Sequence, residues 1–252
     1  MIKGLYAAAS AMIAGMNRQN ALAHNISNMD TPGFKQILVT MGEFVNTRVV
    51  HPPAATVNAG RMTYVGTLGL GVEPSEDQTI YTQGALKYTS QQLDFAIEGP
   101  GFFRVETPNG ERYTRDGRFI RDAEGQLVTV DGYYLLDANG QHITLPEGDV
   151  MVLGNGTMYV DNAEVAQIGL AGFANPETDL TPDLPNTFTA LNAPNNAELG
   201  IINQGYLEMS NADPAELMTQ MVMVSRAYEA AQQMVQNQDE LLGKTIARLG
   251  QV

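Results

Sequence analysis

From Ile2 onward the apolar positions step along the chain by three and four residues. Ile2, Leu5, Ala9, Met12, Met16, Gln19, Ala23 and Ile26 form a heptad seam with one polar member, which predicts a helix that buries one stripe against another helix. The other faces of this helix are unusual. No charged residue lies between Gly4 and Asn17, and Ala7, Ala8, Ser10, Ala11, Ala14 and Gly15 are all small. A helix facing water carries charge opposite its apolar stripe, so these faces are expected to admit other helices closely. A second such pattern opens at Asp213-Pro214-Ala215-Glu216, where Asp213 suits the cap, Pro214 the first helical position and Glu216 the third residue of a capping box. Leu217, Met221, Val224, Tyr228, Ala231, Val235, Gln238, Leu242, Thr245 and Leu249 then alternate steps of four and three, and Gly250 suits a stop. The helices would run about 37 Å and about 50 Å at 1.5 Å per residue. Heptads sustained this long predict a coiled coil rather than two helices lying on one globular core.

Between these ends the period changes. Glycines recur at 110, 117, 125, 132, 140, 148 and 156, most of them after Asn, Asp or Glu, which supplies the positive φ of tight turns. Short segments such as Gln126–Val130, Tyr133–Leu136 and His142–Leu145 lie between them, the spacing of a strand meander closing into a barrel or sandwich. The fold class expected is α+β, with a discontinuous N- and C-terminal helical coiled-coil domain and an all-β middle. Its boundaries are read as 1–36 for the first helix and its turn, 37–79 for an extended and poorly packed linker containing Pro52-Pro53, 80–207 for the β domain and 208–252 for the second helix. Residues 174–198, rich in Pro, Asn, Thr and Asp, read as a long irregular connection.

Charge sharpens this division. Of the net −14, residues 1–36 contribute +2 (Lys3, Arg18 and Lys35 against Asp30), and residues 213–252 contribute −2. The middle therefore carries −14, with eight basic and 22 acidic residues. Such a domain is well solvated and repels nucleic acid and anionic lipid, while the nearly neutral ends have another task. No run of apolar residues is long enough to span a membrane, so no membrane insertion is expected. The Ala- and Gly-rich start continues its helical period past any cleavage point, so it is not read as a secretory leader.

Candidate chemistry is sparse. The sequence has no cysteine, and His24, His51 and His142 are scattered without ligand spacing, so no metal site is expected. There is no G-x-S-x-G elbow, and Gly66–Gly71 lacks phosphate-loop spacing. A carboxylate pair such as Glu98 with Asp116 is of the type that glycoside hydrolysis uses, but nothing marks any pair as different from solvated surface acids. Arg104, Arg112, Arg115, Arg118 and Arg121 interleave with Glu106, Glu111, Asp116 and Asp122, a pattern of cross-strand ion pairs. No catalytic residue and no cofactor is expected.

Five segments, in order, resemble the rod and hook family of axial proteins of the bacterial flagellum. Asn25-Ile26-Ser27-Asn28 with Thr31-Pro32-Gly33-Phe34-Lys35 is similar to the family's N-terminal signature, and Pro32-Gly33 suits a type II turn. Leu93–Phe103, with Gly99, Gly101, Phe102 and Phe103, resembles its entry into the β domain, followed by Tyr113-Thr114-Arg115-Asp116-Gly117. Gln204–Asn211, with Gly205, Glu208, Ser210 and Asn211, and then Arg226-Ala227-Tyr228-Glu229, resemble its C-terminal end. The length, with Leu70-Gly71-Val72 ahead of Gln83-Gly84-Ala85-Leu86, inclines the resemblance to the distal rod type over the proximal.

The resemblance implies a structural subunit that polymerises helically through its terminal helices into the drive shaft between motor and hook. It places the protein in the basal body, in the cell envelope outside the cytoplasmic membrane. The implied partners are copies of itself, other rod and hook subunits and the type III export apparatus. The assembly seam would be Ile2, Leu5, Met12, Met16 and Ile26 with Leu217, Met221, Val224, Tyr228, Val235, Leu242 and Leu249. The rival from another class is a cell-wall-associated glycan-binding or hydrolytic β domain with a helical oligomerisation tail, which requires a concave site with convergent polar groups.

Overall fold

The computed structural model describes residues 2–43, 46–51, 63–69, 71–183, 186–195 and 199–249. In chain order the first elements are helix α1 (Ile2–Ser27) and strands β1 (Ile37–Glu43), β2 (Asn46–His51), β3 (Thr63–Gly69) and β4 (Val72–Thr79). The middle supplies β5 (Leu86–Tyr88), β6 (Phe95–Glu98), β7 (Phe102–Thr107), β8 (Gly110–Thr114), β9 (Phe119–Arg121), β10 (Leu127–Thr129) and β11 (Tyr134–Leu135). There follow β12 (Val150–Val152), β13 (Thr157–Val160), β14 (Ala163–Gln167), β15 (Leu170–Ala171) and the single-turn helix α2 (Pro176–Asp179). The chain ends with β16 (Leu180–Pro182), β17 (Phe188–Ala190), β18 (Ile201–Gln204), β19 (Tyr206–Glu208) and helix α3 (Pro214–Leu249). The fold is α+β, with paired terminal helices and a multi-sheet β domain.

Two compact units divide the chain. The helical unit holds 1–24, 37–78 and 215–252, and the β unit holds 25–36 and 79–214. These limits differ from the sequence reading at three places, the last being 208–214, expected with the second helix but belonging to the β unit. Residues 37–79, expected as a linker, carry four strands: β1 pairs with β4, and β2 forms an antiparallel hairpin with β3. β2 and β4 are mostly polar, β3 is interrupted by Gly66, and β1 opens on the continuous run Ile37-Leu38-Val39, so none shows the apolar alternation that marks a half-buried strand. Residues 25–36, expected with the first helix, belong to the β unit instead. Pro52-Pro53, Leu70 and Gly250 lie outside the described residues.

The β unit is built around β7. Its side chains alternate between two faces: Phe103 and Val105 enter one core, and Phe102 enters the other. The first core gathers Phe95, Ile97, Phe119, Leu127, Leu135, Ile143, Met158 and Ile202. The second gathers Tyr113, Ala171, Phe173, Leu180 and Phe188, with Phe102 edge-on to Phe173 and Phe188 at ring separations of 5.9 and 5.8 Å. The consecutive phenylalanines after Gly101 therefore seed both cores. The principal sheet runs β16-β17-β8-β7-β11-β10-β9, with β15 also paired to β7, and β12-β13-β14 form a separate antiparallel meander. Part of the connection expected to be irregular contributes α2, β16 and β17.

Of the seven recurrent glycines, 110, 125, 132, 140, 148 and 156 have positive φ. Gly117 does not. A Cβ there would lie 1.6 Å from the Phe95 carbonyl oxygen, so that glycine is required by close backbone approach rather than by turn geometry.

Candidate assembly surface and the buried charged junction

Within the helical unit α1 and α3 pack antiparallel. A Cβ built at Gly4 would touch the Gln238 side chain at 3.6 Å, and one at Gly15 would touch Tyr228 at 3.8 Å. Along α3, Leu217 and Val224 are buried, Met221, Tyr228, Ala231, Val235, Gln238 and Leu242 are half-buried, and Thr245 is exposed. Along α1 the buried stripe is rotated. Ala8, Ala14, Gly15 and Leu22 are buried, Leu5, Met12 and Ile26 are half-buried, and Met16 is 50% exposed. The small residues expected on the bare face line the contact because they allow the helices to approach closely, and the larger Ile13, Met16 and Tyr6 are left outside. The side chains of Ile2 and Leu249 lie outside those described.

Met218, Val222 and Met223 of α3 are also exposed, Val222 and Met223 by 51% and 61%. Beside them an apolar groove of about 340 Å³ is lined by Ala11, Gly15, Arg18, Met41, Val72, Gln220, Met223, Val224 and Ala227. Beyond Gln238, α3 continues to Leu249, about 16 Å further at 1.5 Å per residue, with Leu241 and Ile246 exposed.

The family-like motifs converge inside the β unit. After α1 the chain turns through Thr31-Pro32-Gly33-Phe34 as a type II turn, with the Phe34 amide donating to the Thr31 carbonyl at 3.3 Å and Gly33 at φ +71°. A Cβ on Gly33 would lie 2.3 Å from the Asp116 amide nitrogen, so this glycine is needed for both its φ and its contact. The Gly33 amide donates to the Glu208 carbonyl at 2.7 Å, and Asn186 donates to the Pro32 carbonyl at 2.7 Å. Asn211 accepts from the Gln36 amide at 2.8 Å and donates to the Ile80 carbonyl at 2.8 Å. Phe34 and Asn25 are buried, Thr31 Oγ1 donates to Asn28 at 3.5 Å, and Ser210 Oγ accepts from the Ala212 amide at 3.2 Å. Gly99, Gly101 and Gly205 all have positive φ.

At the centre of this convergence is a carboxylate whose side chain is fully buried. Glu208 Oε1 accepts from Lys35 Nζ at 2.6 Å and from the Gly84 amide at 3.0 Å, and Oε2 accepts from Arg115 at 2.9 Å. Lys35 also donates to the Thr82 carbonyl at 2.8 Å. The Arg115 guanidinium donates to the Ile97 and Gly99 carbonyls at 3.3 and 2.7 Å and lies 5.0 Å from the Phe102 ring centre. Burial pushes the pKa of Lys35 down despite the pull of Glu208, and it lowers that of Arg115 in the same way. Two cations thus share one anion away from water.

The sequence reading misses Lys35 and Arg115 as members of one site. The signal is present, since three of the five quoted motifs each contribute one charge to the site: Lys35, Arg115 and Glu208. The other arginines divide. Arg104 reaches Glu111 across β7–β8 at 2.6 Å, the cross-strand pair expected. Arg112 instead meets Asp183 at 2.9 Å, and Arg118 turns back to Asp116 at 2.6 Å. Glu106 pairs with His142, whose ring stacks on Tyr134.

Comparison with known proteins accounts for the three matched segments together. The profile of the flagella basal body rod proteins matches residues 5–35, that of the flagellar hook protein FlgE/F/G D1 domain residues 96–170, and that of the flagellar basal body rod FlgEFG C-terminal region residues 203–249. The flagellar basal-body rod protein FlgG of Bacillus subtilis is 32% identical over 261 residues, covering 98% of each chain. FlgG of Borreliella burgdorferi is 32% identical over 96% of this chain and 97% of its own. The flagellar basal-body rod protein FlgF of Caulobacter vibrioides is 33% identical over 96% of this chain and 99% of its own.

Proposed function

The chain belongs to the flagellar basal-body rod protein family, and we propose that this structural subunit of the rod assembles through the apolar faces its helical unit leaves open. It is a building element and not an enzyme, and it works together with other axial subunits in the basal body. The observation that carries the assembly reading is the exposed group Met218, Val222 and Met223 beside the apolar groove, together with the end of α3 that extends beyond Gln238. Two different patches on one molecule can join head to tail, and contacts that do not close on themselves generate a filament. On this reading the α3 seam holds the helical pair together, while the outward residues of both helices meet copies of the chain and the neighbouring rod or hook subunits. Passage through the type III export apparatus and a distal position in the rod belong to the same reading. FlgG and FlgF relatives match at nearly equal identity, so complementation of strains lacking one or the other is the assay for position.

The test of assembly uses full-length protein. Concentrated wild type is expected to form tubes visible by electron microscopy. Val222→Glu combined with Met223→Glu is expected to remain monomeric with unchanged helical circular dichroism, because both side chains already face solvent. Assembly of this variant at the wild-type threshold concentration would remove the faces from the mechanism.

A further inference from the structure

The segment 31–36 is held in the β unit by groups that come from widely separated parts of the chain. Among the described residues, the carboxylate that fastens its lysine is Glu208. We infer that Glu208 is an electrostatic latch that shuts this segment onto the β unit, and that without it Lys35 and Arg115 hold the segment open. The argument rests on counting charge at the site. Lys35 and Arg115 both reach the Glu208 carboxylate, one at each oxygen. The next acid along the chain from Arg115, Asp116, is engaged by Arg118 at 2.6 Å and by Asn186 at 3.2 Å. Remove the Glu208 charge and two cations share a site with almost no access to water, where each destabilises the other and neither is solvated. Opening the segment relieves this, because Lys35 departs with it.

The latch has a second consequence in the order of the chain. Segment 31–36 leads out of α1, whereas Glu208 lies in β19, a few residues before α3 begins. One buried carboxylate therefore pins the connection from the first helix to the connection into the last. Lys35 is made early in synthesis and Glu208 late, so the segment stays open until β19 has paired with β5. For a subunit that works in a load-bearing shaft, which is the proposed function this step rests on, the node keeps the segments leading to both helices from peeling away separately.

Hydrogen exchange of the full-length monomer tests the latch without reference to assembly. In Glu208→Gln the amide donor of the new side chain faces the Arg115 guanidinium, so one charge-assisted bond is lost and two cations remain. Exchange of residues 31–36 is expected to accelerate on the order of 100-fold, while the β7–β8 hairpin keeps its protection. Adding Arg115→Met to Glu208→Gln removes one of the two cations and the donor that faces the introduced amide, while the Ile97 carbonyl keeps its bond from Gln83 at 2.8 Å. The double variant is expected to restore roughly tenfold of the loss. Arg115→Met alone leaves Lys35 neutralised by Glu208, so the segment stays within a few-fold of wild type; this variant decides the matter if Glu208→Gln does not fold. Wild-type protection of 31–36 in Glu208→Gln, loss spread evenly over the β unit, a double variant more open than the single one, or an open segment in Arg115→Met would each overturn the latch. None of these results bears on whether wild type forms tubes, so failure of the latch and failure of the assembly reading remain distinct.

Discussion

In the β unit, Phe95, Phe103, Leu127, Leu135 and Met158 are sealed from water, and even its most deeply buried carboxylate meets two cations and a backbone amide. In the helical unit α1 and α3 meet at Gly4 and Gly15, and Ala8, Leu22, Leu217 and Val224 are buried, while Tyr6, Ile13, Met218, Val222 and Met223 remain outside. The β unit seals two hydrophobic cores within one chain, although Ile120, Val130, Met151, Leu191 and Ile201 stay exposed at its surface. The helical unit uses small residues to bring its helices close and leaves large apolar side chains facing away. On the proposed assembly, one part of the fold supplies the sealed cores and the other supplies the faces that meet neighbouring subunits. That division is what the following measurements can break or sharpen.

The largest effect belongs to the sealed core. Phe103→Ala removes a ring that packs edge-on to Phe119 at 5.3 Å from a position with no exposure, and it is expected to cost about 3–5 kcal/mol in chemical denaturation of the monomer. Val222→Ser, half-exposed on α3, should leave monomer stability within about 0.5 kcal/mol while raising the concentration needed for assembly. If the two substitutions destabilised the monomer alike, Val222 would already be covered within one chain and the contrast between the units would fail.

A smaller effect concerns alkaline pH. Burial raises the Tyr81 phenol to about 12, and burial followed by the Glu111 charge raises Tyr113 to about 12, both from 10.0. Their unfolded forms ionise first, so the stability these rings contribute is complete below pH 10 and is lost as pH rises from there toward 12. Lys35 acts in the opposite sense: its folded pKa is lowered below 10.5, so its contribution rises with pH between the lowered value and 10.5. Because both rings retain some contact with solvent, about 1 kcal/mol each is the expected loss. Tyr81→Phe and Tyr113→Phe should flatten the fall in denaturation free energy between pH 9 and 11, chosen as roughly bracketing the free phenol value. An unchanged slope in both variants would mean the phenols are as well hydrated in the folded chain as in the unfolded one.

These effects also explain which parts of the molecule are legible in the sequence. The buried stripe of α3 is readable because Leu217, Met221, Val224, Tyr228, Val235 and Leu242 follow the heptad steps, whereas size alone would also have chosen Met218, Val222 and Met223, which are exposed. The α1 stripe is misplaced because periodicity weighs size, whereas a close helix pair selects Ala8 and Gly15 and turns Met16 outward. The hairpin glycines follow from the turn chemistry of Asn-Gly and Asp-Gly pairs, but Gly117 is fixed by its approach to Phe95, a contact between distant segments that local spacing does not encode. The strands in 37–79 lack alternation and so read as linker. The charged junction is hidden for a similar reason: Lys35, Arg115 and Glu208 are each ordinary in their own motif and acquire meaning only when the fold places them together.

The smallest expected effect is the most direct check on what holds the far end of α3. Glu240 and Lys244 form an exposed i,i+4 pair at 2.6 Å there, with the acid toward the N-terminus, the favourable orientation for a helix pair. Both side chains are largely solvated, so water and salt screen the attraction, and Lys244→Ala should change monomer stability by about 0.3 kcal/mol or less. The same turns expose Leu241 and Ile246, which the proposed assembly would cover. Thermal melting followed by circular dichroism should therefore be nearly unchanged in Lys244→Ala, whereas Leu241→Ser combined with Ile246→Ser should weaken assembly at unchanged melting temperature. A loss above about 1 kcal/mol in Lys244→Ala would exceed what a screened pair supplies, and would mean that charge, not a missing apolar neighbour, governs the end of this helix.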